Sequence, residues 1–167
     1  HVRLAASPII AENGTMEQRK NYTGYGQRSN NYSNQNREQE IHKIEMPLHI
    51  YYADKSKLFL PDGKAYKIAL KFKGITTHQL RKILNQVKLC IQELGNKDAN
   101  FTEVKNQLFM LLPLSAYNGG RDPKLKKIYQ FLVEHLNQNS ITCEKDIEVF
   151  DELFTSVIAY HKYLGGK

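Results

Sequence analysis

The sequence predicts an all-α protein, a compact bundle of about five helices that follows a disordered N-terminal tail. Apolar residues recur at spacings of three and four through most of residues 65–164, which places them on one face of each helix. Glycine, proline and helix-capping residues divide this region into segments of helical length. No two neighbouring segments alternate apolar and polar residues as a strand hairpin would. A helical bundle therefore accounts for the pattern.

Length and composition narrow the class of protein further. The 167 residues are 41% hydrophobic and 25% charged, as expected of one soluble globular domain. No stretch reaches the roughly 18 apolar residues of a membrane-spanning helix, so we expect neither an integral membrane protein nor a membrane partner. The two cysteines, Cys90 and Cys143, are too few for a disulfide scaffold or an all-cysteine zinc site. Reduced thiols need no oxidising compartment, and the predicted location is cytoplasmic.

Three segments of different composition divide the chain. Residues 1–15 begin without an initiator methionine and are predicted to be the remnant of an expression tag. Residues 16–42 are a predicted disordered tail rich in Asn, Gln and Tyr. Residues 17–40 hold no aliphatic side chain that could offset the entropy lost on folding. Residues 43–167 form the predicted helical bundle domain.

The positive charge is concentrated in the middle of the chain. Lys and Arg number 24 against 17 Asp and Glu, a net charge of +7. The excess lies in residues 41–137, whereas residues 138–167 hold more acidic than basic side chains. A basic middle of this kind indicates a polyanionic partner.

The first part of the predicted bundle is irregular. Residues 41–60 indicate a short strand or an extended strap, because Pro47 disfavours a helix that continues through it. The turn sequence at residues 61–63 separates this segment from the first helix. Apolar residues of that helix recur at i, i+3, i+4 and i+7 over residues 65–72, and Gly74 ends it.

The clearest helix spans about residues 76–95. Thr76 or Thr77 is a suitable N-cap, and Gly95 supplies a C-terminal stop. Its apolar positions alternate spacings of four and three: Leu80, Leu84, Val87, Ile91 and Leu94.

The next helix is predicted over residues 102–112, with Thr102 as its N-cap. Pro113 should kink or break it, and one further turn should follow as far as Asn118. The sequence Asn-Gly-Gly at residues 118–120 then indicates a loop.

Two more helices complete the predicted bundle. Asp122 is the expected N-cap of the first, since Pro123 fits a first helical turn, and this helix should end near Asn137. The last helix should begin within residues 142–144 and end at Leu164. Acidic residues in its first turn and a lysine in its last turn both suit the helix dipole.

No metal, cofactor or nucleophilic site is predicted. Five histidines lie beyond the first fifteen residues: His42, His49, His78, His135 and His161. None has the H-x-x-x-H or H-E-x-x-H spacing of a zinc site. Cys90 lies on an apolar helix face and Cys143 near a helix start, and no partner histidine is identifiable for either. Both cysteines are therefore expected to be packed or inert thiols.

One short motif leaves an enzymatic alternative open. Arg37 and His42 match the Arg-x4-6-His motif of helical ribonucleases of the HEPN type. The pair lies at the edge of the predicted disordered tail, where nothing would hold two catalytic side chains in place. We therefore expect a protein that is not an enzyme, with a ribonuclease as the alternative.

Basic residues on the predicted helices are the best candidates for contacts with a nucleic acid. The candidates are Arg81, Lys82, Lys88, Arg121, Lys124, Lys126 and Lys127. Arg81 and Lys88 are seven residues apart and share a helix face. The three lysines after Asp122 load a first helical turn, an unfavourable place for cations unless an anion binds there. With Tyr117 beside them, they suit phosphate contacts along a single-stranded nucleic acid, and a solvated charged face is the alternative.

Two ordered signatures in the chain match a known pattern. Residues 75–82, ITTHQLRK, open the long helix with T-x-x-Q-L-R. Residues 112–122 contain a proline, an Ala-Tyr pair and a small-residue turn that ends in Arg121. Together with the closing segment at residues 150–166, they resemble the small helical subunit of type III-A (Csm) CRISPR effector complexes. The resemblance covers roughly residues 56–166.

The resemblance implies a non-catalytic subunit of an antiviral RNA-guided complex. Such subunits are helical bundles that stack in several copies along the inner filament, with the backbone subunits and the large subunit as partners. They line the channel that holds guide RNA paired to target RNA, and backbone contacts of this kind carry little sequence preference. Arg81 and Arg121 match the basic positions of the two signatures, while Lys82 and Lys124 are added on charge alone. A small subunit of a type III-B complex is a further alternative.

Overall fold

The computed structural model describes residues 40–167, and this part of the chain contains helices and no strand. In chain order the α-helices are α1 (Leu48–Tyr51), α2 (Ser56–Phe59), α3 (Lys64–Lys71), α4 (Thr77–Leu94), α5 (Phe101–Phe109), α6 (Leu111–Arg121), α7 (Lys126–His135) and α8 (Glu144–Tyr163). A 3₁₀ turn lies between α6 and α7. The all-α prediction is confirmed. The predicted tag remnant and most of the predicted tail lie outside the described residues, and the domain limits stay a prediction.

Helix α8 is the element on which much of the bundle packs. It contacts α1, α2, α3 and α4. Its buried apolar side chains are Ile147, Val149, Phe150, Leu153, Phe154, Val157 and Ile158. The rings of Phe150 and Phe154 lie 5.8 and 5.5 Å, centroid to centroid, from the ring of Phe131 in α7. Burying a large apolar side chain stabilises a fold by about 1.5–3 kcal/mol, so this face of α8 contributes substantially to holding the neighbouring helices together.

Helix α4 begins and ends where its sequence predicts. The hydroxyl of Thr76 accepts a hydrogen bond from the Gln79 N–H at 3.1 Å, and the Gln79 side chain accepts one from the Thr76 N–H at 3.0 Å. This reciprocal pair satisfies two amide groups that have no partner inside the helix. Gly95 follows the last turn. Cys90 is buried on the apolar face, and burial raises the pKa of its thiol, which keeps it protonated.

The short strand predicted within residues 41–60 is wrong, and the alternative of an extended strap is wrong from Leu48 onward, where the chain forms the short helices α1 and α2. Pro47 is the N-cap of α1 and so begins a helix. The N–H groups of Ile44 and Leu48 donate to carbonyl groups at the end of α7 and in the turn after it, at 2.9 and 3.0 Å. These N–H groups therefore find their hydrogen-bond acceptors in α7 and in the turn after it, since residues 40–167 contain no strand with which this segment could pair.

The helix predicted at residues 102–112 has different ends. Its N-cap is Asn100, and the predicted cap Thr102 is wrong, because the Asn100 side chain already accepts hydrogen bonds from two first-turn N–H groups. The helix ends at Phe109, ahead of Pro113, which lies in the first turn of α6. N–H groups of a first turn have no partner inside the helix, so a residue without an N–H is tolerated there.

Residues 118–120 are helical, whereas the sequence predicts a loop. Helix α6 continues through both glycines to Arg121 and packs along α7. Gly119 is buried against the start of α7, and a Cβ atom there would lie 3.2 Å from the Cα atom of Lys126. A Cβ atom on Gly120 would meet nothing within 4 Å. The first glycine therefore permits close helix packing and does not mark a turn.

A buried polar network joins α7 to the chain just after α1. His135 has no exposed surface, and its Nδ1–H donates to the carbonyl of Phe131 at 2.9 Å. Its Nε2 accepts the hydroxyl of Tyr52 at 2.7 Å, which corresponds to the neutral imidazole. Burial lowers the pKa of His135 to about 4, and burial also raises the pKa of the Tyr52 hydroxyl well above its usual value.

We predict that the free energy of unfolding decreases as the pH falls from about 6.5 to about 4. Within this window the unfolded chain takes up a proton on His135 while the folded chain keeps it neutral, so stability present above pH 6.5 is lost toward pH 4. The loss is about 3 kcal/mol and is measurable by thermal denaturation at a series of pH values. In His135→Gln the slope within this window should flatten, and an unchanged slope would contradict the assignment.

The adjacent glycines of α6 give a matched pair of substitutions. Gly119→Ala should lower the free energy of unfolding by about 1–2 kcal/mol, because the backbone of Lys126 has to move. Gly120→Ala should raise it by about 0.5–1 kcal/mol, because alanine favours the helix and has space around it. Urea denaturation measures both. Equal effects of the two substitutions would show that α6 and α7 are not in close contact at this point.

Candidate nucleic-acid interface

The seven basic side chains predicted to contact RNA are all exposed, but they fall into three groups. The junction group consists of Lys82, Arg121, Lys124 and Lys126. The second group consists of Arg81 and Lys88. Lys127 stands apart from both groups.

The junction group lies where α4, α6 and α7 approach one another. Lys82 of α4 lines a shallow pocket of about 190 Å³ together with Asn118 of α6 and Leu125 of the 3₁₀ turn. The side chain of Lys124 lies beside Gly74, just before α4. Lys82 and Lys124 therefore each lie close to residues that are distant from them in the sequence.

Arg121 and Lys126 border the turn between α6 and α7. The guanidinium carbon of Arg121 lies 5.8 Å from the ring centroid of Tyr117, one turn earlier in α6. The Tyr117 side chain is 65% exposed, so an aromatic ring lies open beside the cation. No carboxylate within residues 40–167 forms an ion pair with any member of the junction group. Its positive charge is therefore available to an external anion.

Arg81 and Lys88 lie on the side of α4 that faces α8. Seven residues bring two side chains to within about 20° of each other around a helix, whereas Lys82 lies about 100° away from Arg81. The Nζ atom of Lys88 is 2.8 Å from the carboxylate of Asp151 in α8. Lys88 therefore already has an acidic partner, and this pair of residues does not join the junction group.

Lys127 lines a separate groove of about 400 Å³ between α3, α7 and the start of the described chain. Lys71 and His42 also line this groove, and Phe131 forms part of its apolar floor. His42 is exposed, but its proposed catalytic partner Arg37 lies outside the described residues. The ribonuclease motif therefore stays a prediction.

The lysines after α6 have a carboxylate of their own nearby. Asp122 caps the 3₁₀ turn by accepting the Lys124 N–H at 3.1 Å, with Pro123 next to it as predicted. Helix α7 follows the turn and ends at His135, two residues before the predicted end at Asn137. These lysines therefore do not require a bound anion, because the carboxylate of Asp122 already lies at the start of the turn that leads into α7.

A family model described as Csm2 Type III-A matches residues 55–167, well over half of the chain. The chain belongs to this family. It is therefore a small subunit of the type III-A Csm complex, whose other subunits are its partners. The match includes α2 to α8 and agrees with the resemblance seen over residues 56–166. No curated protein and no solved structure matches the chain significantly.

The matched region holds all seven basic residues, so each of them lies in the part of the chain that defines the family. None of the helices within residues 40–167 combines the length and the hydrophobicity that crossing a membrane requires.

Sequence reasoning missed a cluster that joins α1 to the start of α8. The carboxylate of Asp146 accepts the His49 N–H at 2.9 Å and a hydrogen bond from His49 Nδ1 at 2.7 Å. It also accepts the N–H and the hydroxyl of Thr142, each at 2.7 Å. The Sγ atom of Cys143 lies 3.8 Å from His49 Nδ1, so this cysteine has the partner histidine that the sequence did not reveal. The two residues are 94 positions apart, and no local pattern links them.

The charge state of Asp146 follows from these contacts. Burial alone would raise the pKa of its carboxyl group, but the hydrogen bonds from His49 and Thr142 outweigh that effect and lower the pKa to about 2. The group is therefore a buried carboxylate that is stabilised by donors.

We predict that Asp146→Ala lowers the free energy of unfolding by about 2–4 kcal/mol at neutral pH. The change removes the acceptor for the N–H group of the N-cap residue Cys143 and leaves the N–H groups of His49 and Thr142 unpaired as well. The contribution of the carboxylate is present above about pH 4 and is lost as the pH falls toward 2. Glu152→Ala serves as the control, because its ion pair with Lys55 is exposed and contributes less than about 1 kcal/mol. Chemical denaturation should separate the two variants, and equal losses would contradict the role of Asp146.

Proposed function

We propose that the chain acts without catalysis as a subunit that holds guide RNA and target RNA by their phosphate backbones, in cytoplasmic antiviral defence. The junction group carries this proposal, because its four exposed cations lie on elements that adjoin one pocket: α4, α6, the 3₁₀ turn and α7. No carboxylate within the described part of the chain forms an ion pair with them. Membership in the Csm2 Type III-A family supports the proposal, since the resemblance of the two sequence signatures implies a subunit of an RNA-guided complex.

Contacts with the phosphate backbone suit a protein in such a complex. Lys and Arg neutralise phosphates and release condensed counterions, which provides affinity without reading the bases. Sequence recognition is then left to pairing between the guide and its target. Arg121 can donate two parallel hydrogen bonds to one phosphate, and the open ring of Tyr117 beside it can stack on an unpaired base.

The remaining predicted residues are proposed as secondary contacts. Arg81 is exposed and occupies a signature position on α4, but it lies on the α8 side of that helix. Lys127 faces its own groove. Lys88 would have to leave Asp151 before it could bind a phosphate, so we expect the smallest contribution from it.

Contacts with other copies of the chain and with the backbone and large subunits are part of the same proposal. Met110, Leu114 and Tyr117 are more than half exposed and follow one another at spacings of four and three, just before and along α6. An apolar stripe of this kind on an exposed helix suits contact with a neighbouring protein. It lies next to the junction group, so a neighbour in a filament would adjoin the same RNA.

The test uses the complex assembled from its subunits and guide RNA, with fluorescence anisotropy of a labelled target RNA at several salt concentrations. The double variant Lys82→Ala with Arg121→Ala should bind the target at least about tenfold more weakly at low salt. The slope of log affinity against log salt concentration should also become shallower, by roughly one to two. The control is Lys55→Ala with Lys64→Ala, which removes two lysines already paired with glutamates and should leave affinity within about twofold.

The outcomes separate the candidate functions. Circular dichroism first establishes that both double variants retain their helices. Unchanged affinity of the Lys82 and Arg121 double variant at low salt would contradict the assignment of the junction group. RNA cleavage by the purified chain that disappears in His42→Ala would instead favour the ribonuclease.

A further inference from the structure

The cluster at the start of α8 brings three different metal-binding atoms together. The ring nitrogen of His49, the sulfur of Cys143 and a carboxylate oxygen of Asp146 all lie within 4.8 Å of one another. Asp146 is completely buried, while the other two residues are partly exposed. Nitrogen, sulfur and oxygen donors at such distances are the ligand set that zinc accepts in proteins. We propose that His49, Cys143 and Asp146 bind one Zn²⁺ ion, with water as the fourth ligand.

Two of the three ligand atoms, the sulfur of Cys143 and Nδ1 of His49, carry protons when no ion is bound, and these protons occupy the space of the cation. The Cys143 thiol donates to Oδ2 of Asp146 at 3.6 Å, and His49 Nδ1–H donates to Oδ1 at 2.7 Å. Zinc would replace both of these bonds. The thiol releases its proton to solvent and binds as the thiolate, while His49 moves its proton from Nδ1 to Nε2 and binds through the freed Nδ1 lone pair. One proton is released for each ion bound, so affinity should increase with pH.

The carboxylate is held in place independently of these two bonds. Four further donors reach Asp146: the N–H groups of His49, Thr142 and Cys143 and the hydroxyl of Thr142, at 2.7 to 3.2 Å. Backbone groups on two separate segments therefore fix its position before any ion arrives. Such outer contacts orient a ligand and increase metal affinity.

The charges balance when the ion is bound. Thiolate and carboxylate together supply two negative charges, which neutralise a divalent cation. The N-terminus of α8 stabilises both anions, and this offsets its repulsion of the ion. The His49 side chain is 30% exposed, which leaves a path for water to the fourth position.

The same geometry argues against a reactive thiol. A Cys-His-Asp nucleophile needs the thiol and the carboxylate on opposite nitrogens of the imidazole ring, so that one nitrogen takes the proton while the other is held. Here Cys143 and Asp146 both contact Nδ1 of His49. In that arrangement the imidazole ring cannot take a proton from the thiol on one nitrogen while the carboxylate holds the other nitrogen. The three ligand atoms do, however, face one common point, where a cation can bind.

The experiment titrates the full chain, under reducing conditions, with CoCl₂ as a spectroscopic probe and then with ZnCl₂. We expect one cobalt ion per chain, an intense near-ultraviolet band from thiolate-to-cobalt charge transfer, and loss of the band when zinc displaces cobalt. Zinc should also raise the melting temperature, because it binds the folded chain and links α1 to α8.

Two variants test the ligands without abolishing the fold. Cys143→Ser retains a hydroxyl at the N-cap of α8, where serine is a preferred residue, so it should fold. It should lose the cobalt band and bind zinc at least about tenfold more weakly. His49→Gln keeps its backbone donor to Asp146 and should also bind zinc more weakly. Cys90→Ala, which removes the other cysteine, is the control and should retain the band.

Several results would overturn the proposal. They are an absent band in the unmodified chain, a band that persists in Cys143→Ser, a band lost in Cys90→Ala, and zinc affinity unchanged in His49→Gln. Each of these would show that the three residues do not form the binding site.

Discussion

The hydrogen bonds to one buried carboxylate determine where α8 begins, and the packing of the surrounding helices depends on that position. The N–H groups in the turn that leads into a helix need acceptors, and water cannot supply them where another element covers that turn. Asp146 is completely buried, and it accepts hydrogen bonds from the chain just before α8 and from α1. With the first turn held in this way, the apolar residues from Ile147 to Ile158 point toward α3 and α4. A shift of one residue would rotate that face by about 100°.

Two buried ionisable groups in this bundle respond to burial in opposite ways. His135 is surrounded by one carbonyl acceptor and one hydroxyl, both of which suit a neutral ring. Asp146 is surrounded by donors, and these suit a negative charge. Burial disfavours the charged form of each group, but only Asp146 has enough donors to reverse that preference. The polar interior is therefore neutral at one end of α7 and negative at the start of α8.

Features that depend on neighbouring residues in the chain could be predicted, and those that depend on tertiary contacts could not. Thr76 caps α4 and Asp122 caps the following turn, because capping involves residues two or three positions away. Gly119 instead makes room for the backbone of α7, a residue requirement that comes from a tertiary contact. The Asn-Gly-Gly sequence therefore indicated a loop where the chain is helical.

The candidate interface shows the same division. Periodicity places Lys82 and Lys88 on different faces of α4. It does not reveal that Lys82 lies near α6 or that Lys88 pairs with Asp151 of α8. The contact between His49 and Cys143 joins residues that no sequence window contains together. The family signatures, in contrast, are contiguous, which is why they identified the family.

The close contact at Gly119 has a consequence for how any ligand meets the junction group. Because α6 and α7 touch backbone to backbone, the separation between Arg121 and Lys126 is set by main-chain geometry. A surface whose charges are already spaced loses little conformational entropy when a polyanion arrives. On binding, only the lysine and arginine side chains and the incoming strand then have to become ordered. Gly119 thus contributes to preorganisation of the surface without a side chain of its own.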